Sequence, residues 1–279
     1  MKNVFLPHSL ADLWRHWENE PAAAVYAGGT DLFVKMRSGA INPPSLICLE
    51  RIEELKGAEE KGDFIRIGSC ATHAHLLENS LVRKHLPVLV QAIKVLGSPA
   101  VRNMGTIGGN LCAASPAGDT LPPLYALDAE VELRRQDDSR RLAVKDFLVG
   151  PGQTLIGQGE ILAAVWARKA DGYNLHHYEK VGQRKALAIS VVSLASLVRL
   201  SSAGVVENVR LAWGSVGPTI VMCPEAEKAL IGKRLTLETL RKAAVYARQA
   251  VSPISDLRAD AGYRRTLAGN LLLRLLACS

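Results

Sequence analysis

Two glycine-rich segments constrain this chain more than any other feature. Residues Gly105 to Asp119 read GTIGGNLCAASPAGD, and a shorter partner, AGGTDL, occupies Ala27 to Leu32. Each holds a Gly-Gly pair with a threonine beside it, so each exposes main-chain N–H groups that no side chain shields. Such groups gather into concave nests that bind anions, and a helix starting behind them adds its positive end. Two in one chain point to a diphosphate held between loops, as a dinucleotide requires.

The first segment is predicted to be a strand, a tight turn and a short helix. Ala22 to Ala27 is a short apolar run. Gly28 and Gly29 permit positive φ and let a ligand approach the backbone closely. Thr30 then serves as N-cap, Asp31 suits the first helical turn, and Leu32 to Arg37 runs on to a C-capping Gly39. Taken alone, an ordinary Gly-Gly turn fits these residues equally. The second segment follows a predicted helix over Leu86 to Leu96. Thr106 brings a hydroxyl, Gly108 and Gly109 bring bare amides, and Asn110 brings a side-chain amide. Asp119 or Thr120 caps a short helix containing Pro122 and Pro123. By local pattern, Asp119 reads equally as that cap or as an acceptor for ribose or ribityl hydroxyls.

Several nucleotide-binding and hydrolytic classes are excluded. There is no strand-linked G-x-G-x-x-G, no G-x-x-x-x-G-K-[ST], and no G-x-S-x-G, H-E-x-x-H or EF-hand loop. A dinucleotide bound here is therefore held by something other than a Rossmann or P-loop fold.

The pair AGGTDL and TIGGN-L-C-x-A-SPAGD resembles the flavoprotein subunit of the molybdenum hydroxylases, which includes xanthine dehydrogenase FAD subunits and carbon monoxide dehydrogenase medium subunits. The resemblance extends along the chain through Gly159-Glu160-Ile161-Leu162, Tyr178-Glu179-Lys180-Val181-Gly182-Gln183-Arg184, Ser255-Asp256-Leu257-Arg258 and Tyr263-Arg264-Arg265. It implies an α+β fold of the vanillyl-alcohol-oxidase or p-cresol-methylhydroxylase type, with two FAD-binding subdomains and a small α+β C-terminal domain. The implied division is 1–169, with a subdomain boundary near 55–60, and 172–279. It implies FAD as cofactor, with Val25, Tyr26, Ala27, Gly28, Gly29, Thr30, Asp31 and Leu32 wrapping the pyrophosphate. Thr106, Gly108, Gly109 and Asn110 would form a second wall, and Asp119 would bind a cofactor hydroxyl. Leu162 and Lys180 match further flavin-contacting positions, although Leu162 also reads as a core strand residue and Lys180 as a solvated lysine.

The function implied is electron transfer, with no catalytic residue and no metal site in this chain. A molybdopterin-binding large subunit would oxidise the substrate, and a small subunit with 2Fe–2S clusters would relay electrons to the FAD. The acceptor would be NAD, a quinone or another molecule. A stand-alone FAD oxidase or reductase, and a cofactor-free assembly scaffold, are the alternatives. One departure is noted: several relatives carry an acidic residue where Lys185-Ala186-Leu187-Ala188 stands here.

Composition accords with a globular chain of 279 residues, 48% hydrophobic and 22% charged. Aromatic residues make up only 5% of it, too few for a stacking platform that binds single-stranded nucleic acid. The net charge of +7 is carried by scattered Arg and Lys, a pattern suited to a solvated surface or to docking an acidic partner. Five cysteines (Cys48, Cys70, Cys112, Cys223 and Cys278) without a C-x-x-C pair fit a reducing compartment and no iron–sulfur cluster in this chain. His73 and His75, and His176 and His177, lack a third ligand at useful spacing. Neither a signal peptide nor a membrane-spanning run is predicted, so the chain is expected in the cytoplasm.

Ser9 should cap an amphipathic helix that buries Leu10, Leu13, Trp14 and Trp17, with Asp12 completing S-x-x-D. Strands are predicted at Ile47 to Leu49 and Phe64 to Ile67, and a hairpin at Glu130 to Arg134 and Arg141 to Val144, turning at Asp137-Asp138. A domain boundary is predicted at Ala170-Asp171-Gly172. Beyond it, an apolar run from Ala188, a strand over Val205 to Trp213, and helices from about Glu225, Leu237 and Asp260 complete the chain.

Overall fold

The computed structural model describes residues 2–277. The chain begins with a three-stranded parallel sheet in which Ser45–Cys48 lies between Asn3–Phe5 and Ala24–Tyr26. Helix Leu10–Asn19 makes the first crossover, with the Ser9 hydroxyl accepting from Asp12 N at 3.1 Å. Leu10, Leu13 and Trp14 are buried and Trp17 packs beside them, as the 3.6-residue spacing requires.

A five-stranded sheet follows, ordered Ala58–Lys61, Phe64–Gly68, Ile161–Arg168, Glu130–Arg135 and Asp138–Ala143. Its central strand, Ile161–Arg168, comes late in sequence, so the helices of residues 73–126 are inserted between strands that are neighbours in space. They close one core over Ile65, Ile67, Val131, Leu133 and Val165. The hairpin differs by one residue from expectation. Arg135 pairs with Asp138, leaving Gln136 and Asp137 as the two-residue turn.

The chain ends with a four-stranded antiparallel meander, Leu175–Val181, Val192–Leu200, Val206–Gly214 and Val221–Met222. Helices Pro224–Leu230, Leu237–Ala250 and Ala261–Leu273 pack on it. Strand Val192–Leu200 is buried over seven consecutive residues because both its faces are covered. Ala195 and Leu197 join the core beneath the five-stranded sheet, whereas Val192, Leu194 and Val198 join the core under the C-terminal helices. The meander therefore seats directly against the first part of the chain.

Cys48, Cys70, Cys112 and Cys223 are free thiols; Cys278 lies outside the described residues. Among the described residues no helix is long and apolar enough to cross a membrane.

Candidate functional site

Strand Ala24–Tyr26 delivers the chain into the first glycine turn, and helix Leu32–Arg37 carries it away. Gly29 adopts φ +69°, the left-handed region that disfavours any side chain. Gly28 is needed for space instead: a Cβ there would lie 1.6 Å from the carbonyl oxygen of Met104. The turn is thus pressed against the end of helix Pro99–Met104, which leads into the second glycine segment. Among the described residues, no hydrogen bond engages the amides of Gly28, Gly29, Thr30 and Asp31. Four successive N–H groups are left open to a ligand. Thr30 is not the helix cap that was expected; Asp31 holds that position, makes no capping bond, and its carboxylate pairs with Lys35 at 2.7 Å.

The second segment is not a turn. Thr106 caps a helix, Ile107–Ala113, and Gly108, Gly109 and Asn110 lie inside its first turns. Their amides are not bare either. Ile107 N donates to Ala71 O at 3.1 Å and Gly108 N to Ser69 O at 2.9 Å. Gly109 N donates to Thr106 Oγ1 at 3.0 Å and Asn110 N to Thr106 O at 3.0 Å. A Cβ on Gly108 would meet Ser69 Cβ at 2.6 Å, so this glycine lets the helix approach the neighbouring backbone. A Cβ on Gly109 would meet only Thr106 Oγ1, at 3.1 Å; otherwise that face is open. The second segment supplies a wall stripped of side chains, while the free amides belong to the first.

Two cavities meet at Cys70. One, of about 170 Å³, is lined by Val25, Tyr26, Ala27, Gly108, Gly109 and Leu162 together with Ser69, Cys112 and Glu160. The other, of about 350 Å³, includes Gly28, Thr72, His75 and Thr106, and adds the cations Arg51 and Lys56. Leu162 is both a core strand residue and a wall of the first cavity, so its two readings describe one position. Gly29, Thr30, Asp31 and Leu32 lie outside both linings, at the turn and helix start beside them. Arg51 and Lys56 were not anticipated. They are two basic residues among 34, and nothing in their spacing distinguishes them. Glu50 lines the same cavity and Lys56 Nζ pairs with Glu53 Oε1 at 2.8 Å, so the positive charge facing the open amides is mainly that of Arg51.

A third group lies at the junction with the C-terminal sheet. Lys180 Nζ reaches Asp119 Oδ2 at 2.7 Å, and the Tyr178 hydroxyl donates to Asp119 Oδ1 at 3.0 Å. Lys180 also donates to Val95 O at 2.8 Å. Lys180 is therefore no solvated lysine: its side chain is only 8% exposed and that of Asp119 only 10%. Burial pushes the Asp119 carboxyl above its ordinary value, against the pull of Lys180 and the bond from Tyr178. The Tyr178 phenol is raised well above 10 by burial and by that same carboxylate. Asp119 is not the cap of helix Leu121–Ala126 either, since Thr120 occupies the cap position. The Thr120 hydroxyl bonds Asn110 Oδ1 at 2.5 Å, and Asn110 thereby links helix Ile107–Ala113 to the Asp119 group. Ionised Asp119 still has unused lone pairs and can accept a ligand hydroxyl.

His73 lies behind the glycine segments, buried, its amide donating to Gly105 O at 2.9 Å. Burial and the Arg102 charge lower its pKa to about 4, so the imidazole is neutral near pH 7. Among the described residues, no group of three or more His, Cys, Asp or Glu side chains is placed to hold a metal ion.

The shape and charge of these surfaces suit an extended ligand with a diphosphate at the first turn and hydroxyl groups towards Asp119. Comparison with known proteins identifies the family. Residues 1–166 match the family model described as the FAD binding domain in molybdopterin dehydrogenase, and residues 177–279 match the CO dehydrogenase flavoprotein C-terminal domain. The chain is 30% identical to the nicotinate dehydrogenase FAD-subunit of Eubacterium barkeri, over 90% of this chain and 86% of that protein. It is 31% identical to the carbon monoxide dehydrogenase medium chain of Hydrogenophaga pseudoflava, over 91% and 88% of the two chains. Its backbone superposes with a TM-score of 0.93 on a chain of reconstituted CO dehydrogenase from Oligotropha carboxidovorans, at 28% identity, covering 100% of this chain and 97% of that one.

Proposed function

Because the chain belongs to the family of FAD-binding subunits of molybdopterin dehydrogenases, we propose that it is the electron-transfer subunit of a molybdenum-dependent hydroxylase or dehydrogenase. It takes electrons from 2Fe–2S clusters on a small partner subunit. It passes them to NAD, a quinone or another acceptor, while a large partner subunit holds molybdopterin and oxidises the substrate. The fold is of the vanillyl-alcohol-oxidase type, divided at 1–169 and 172–279, and the complex works in the cytoplasm.

The run of four open amides from Gly28 to Asp31 carries this reading. These N–H groups bind the FAD diphosphate, and Arg51 in the adjoining cavity offsets part of its charge. Gly108, Gly109 and Leu162, with Val25 to Ala27, form the close wall on which the cofactor lies. Asn110 and Asp119 orient its hydroxyl groups, with the Asp119 carboxyl aimed by Lys180 and Tyr178. Bound FAD supplies a carrier that accepts electrons singly and releases them in pairs. No side chain of this chain acts as acid, base or nucleophile; the protein binds, orients and shields.

The test is the absorbance spectrum of the purified chain and of Gly109→Trp, whose indole would fill the open side of the wall. Flavin bands that denaturation releases as FAD, and that the variant lacks, are expected. A wild-type chain that carries no flavin and takes up none when FAD is added would overturn the site.

A further inference from the structure

Strand Leu175–Val181 is an edge: Val192–Leu200 pairs with it on one side, and among the described residues no strand pairs with it on the other. The backbone groups on such an edge need partners when they are buried. Helix Pro87–Val95 passes along it and supplies them through one side chain. Gln91 is half-buried and stands among Val88, Leu89, Val90, Ala92 and Ile93, all buried. Its Nε2 donates to His176 O at 3.0 Å, and its Oε1 accepts from Tyr178 N at 2.7 Å. One planar amide thus offers the strand a donor and an acceptor, as a neighbouring strand would.

These bonds fall where the strand meets the candidate site. Side chains alternate along a strand, so His176, Tyr178 and Lys180 share one face. That face is turned to the cofactor-binding half: Tyr178 joins its core, whereas Leu175 joins the core under the C-terminal helices. Tyr178, whose amide Gln91 holds, donates its hydroxyl to Asp119 Oδ1 at 3.0 Å. One helical turn further on, Val95 O accepts from Lys180 Nζ at 2.8 Å, and Lys180 reaches Asp119 Oδ2 at 2.7 Å. The spacings match. Four residues of helix rise about 6 Å and two residues of strand about 6.7 Å, so Gln91 stands to Tyr178 as Val95 stands to Lys180.

The helix is a fixed post for both contacts. Arg102 Nη1 donates to Leu96 O at 2.8 Å and to Gly97 O at 3.2 Å, just past the helix end. Cations suit the unpaired carbonyls there. Gln91 itself lines neither cavity, so whatever it does for the site passes through the strand.

We propose that Gln91 is a positioning residue for the cofactor site: its amide locks the edge of strand Leu175–Val181 to helix Pro87–Val95 and thereby sets where Tyr178 and Lys180 hold the Asp119 carboxyl. This rests on the reading above in which Asp119 meets a hydroxyl of FAD.

The experiment titrates FAD into the full chain, stripped of flavin, and follows flavin fluorescence well below the melting point of every variant. Gln91→Met keeps the side-chain length and the helix propensity and removes both bonds. FAD affinity should fall about tenfold, the worth of one aligned hydrogen bond to a carboxylate. Gln91→Glu still accepts from Tyr178 N but cannot donate to His176 O, so it should lie between Gln91→Met and wild type. Coupling separates positioning from a structural role. In an Asp119→Ala background there is no carboxyl to aim, and Gln91→Met should change the affinity by no more than about twofold. Wild-type affinity in Gln91→Met would overturn the proposal, and so would a tenfold loss that persists undiminished in Asp119→Ala. Should Gln91→Met fail to fold by circular dichroism, Gln91→Glu carries the same cycle and the same two refutations. Unchanged affinity in Asp119→Ala alone would instead overturn the contact between Asp119 and FAD.

Discussion

Gly28→Ala tests whether the two glycine segments depend on each other. Gly28 does not have positive φ, so alanine costs it nothing in backbone conformation. The cost is entirely spatial. The new Cβ would lie 1.6 Å from Met104 O, 2.4 Å from Met104 C and 3.2 Å from Gly105 N, all of them backbone atoms that cannot rotate away. Contact distances of about 3.5 Å require the turn and the end of helix Pro99–Met104 to part by roughly 2 Å. That movement displaces Gly105, whose carbonyl accepts from His73 N at 2.9 Å. Overpacking costs about 1–3 kcal/mol and a weakened buried hydrogen bond about 1 kcal/mol more. A loss of about 3 kcal/mol corresponds to a fall in Tm of roughly 6–12 °C for a chain of this size. Gly39→Ala is the control: φ is +75° and nothing lies within 4 Å, so only the left-handed penalty of about 1 kcal/mol applies. Melting curves recorded with tryptophan fluorescence measure the stability effect, and flavin absorbance of the purified chains measures FAD content. Gly28→Ala should melt well below Gly39→Ala and purify without FAD, whereas Gly39→Ala keeps it. Equal melting points with wild-type flavin content in both variants would refute the close-approach argument.

Lys180→Met leaves the buried Asp119 carboxylate without its cation, at a cost of about 3–5 kcal/mol near neutral pH. The folded-state pKa of Asp119 is already raised and rises further in the variant, so the deficit should shrink as pH falls and the carboxyl takes up a proton. Urea midpoints at pH 5 and pH 8 would expose a pH-independent deficit, which this account forbids. His73 is held at about 4 in the folded chain against 6.5 in the unfolded chain. Wild-type stability should therefore decline as pH drops from 6.5 towards 4, by about 3 kcal/mol in all. His73→Leu should remove that slope in denaturant titrations, and an unchanged slope would assign it elsewhere. Asp256 is held down at about 2 by the bonds from Arg258 N and from the Arg264 and Arg258 side chains. Its stabilising contribution is full above the ordinary carboxylate value near 3.8 and disappears as pH falls through 2, so Asp256→Asn should lack that part of the acid limb in thermal melts.

What could be read in the sequence divides according to how local its cause is. Helix Leu10–Asn19 was legible because its cap and apolar stripe lie within one turn of one another. The first glycine turn was legible in outline for the same reason, although the cap proved to be at Asp31. The helix Ile107–Ala113 was not. Two glycines cost a helix about 2 kcal/mol in propensity, so GTIGGN reads as a turn. What tips it into a helix is the fit of Gly108 against Ser69, a residue 39 positions earlier that no local pattern reveals. Lys180 was ambiguous for a similar reason, since its partner Asp119 is 61 residues away. Arg51 and Lys56 carried no signal at all, because their place beside the cavity follows from the turn after strand Ser45–Cys48.

The glycine pairs also show that one motif can serve two different purposes. Gly28 and Gly108 exist to let backbones touch, at Met104 and at Ser69, whereas Gly29 and Gly109 shape the surface left open. A glycine-rich match therefore locates a site without saying which amides bind. Hydrogen-bond accounting separates the two segments: the second spends its amides on Ala71, Ser69 and Thr106, whereas among the described residues those of Gly28 to Asp31 meet no protein acceptor. The Asp119–Lys180 pair follows the same logic. A buried ion pair is weak evidence for stability, because apolar residues of equal volume hold a core together as well. Its burial cost is evident in the raised Asp119 carboxyl. What such residues could not supply is direction. Tyr178 and Lys180 each fix one oxygen of Asp119, and in doing so set strand Leu175–Val181 at one position against the cofactor-binding half. The carboxylate that the C-terminal sheet aims is the one expected to meet the cofactor, so seating the sheet and completing the pocket are a single event.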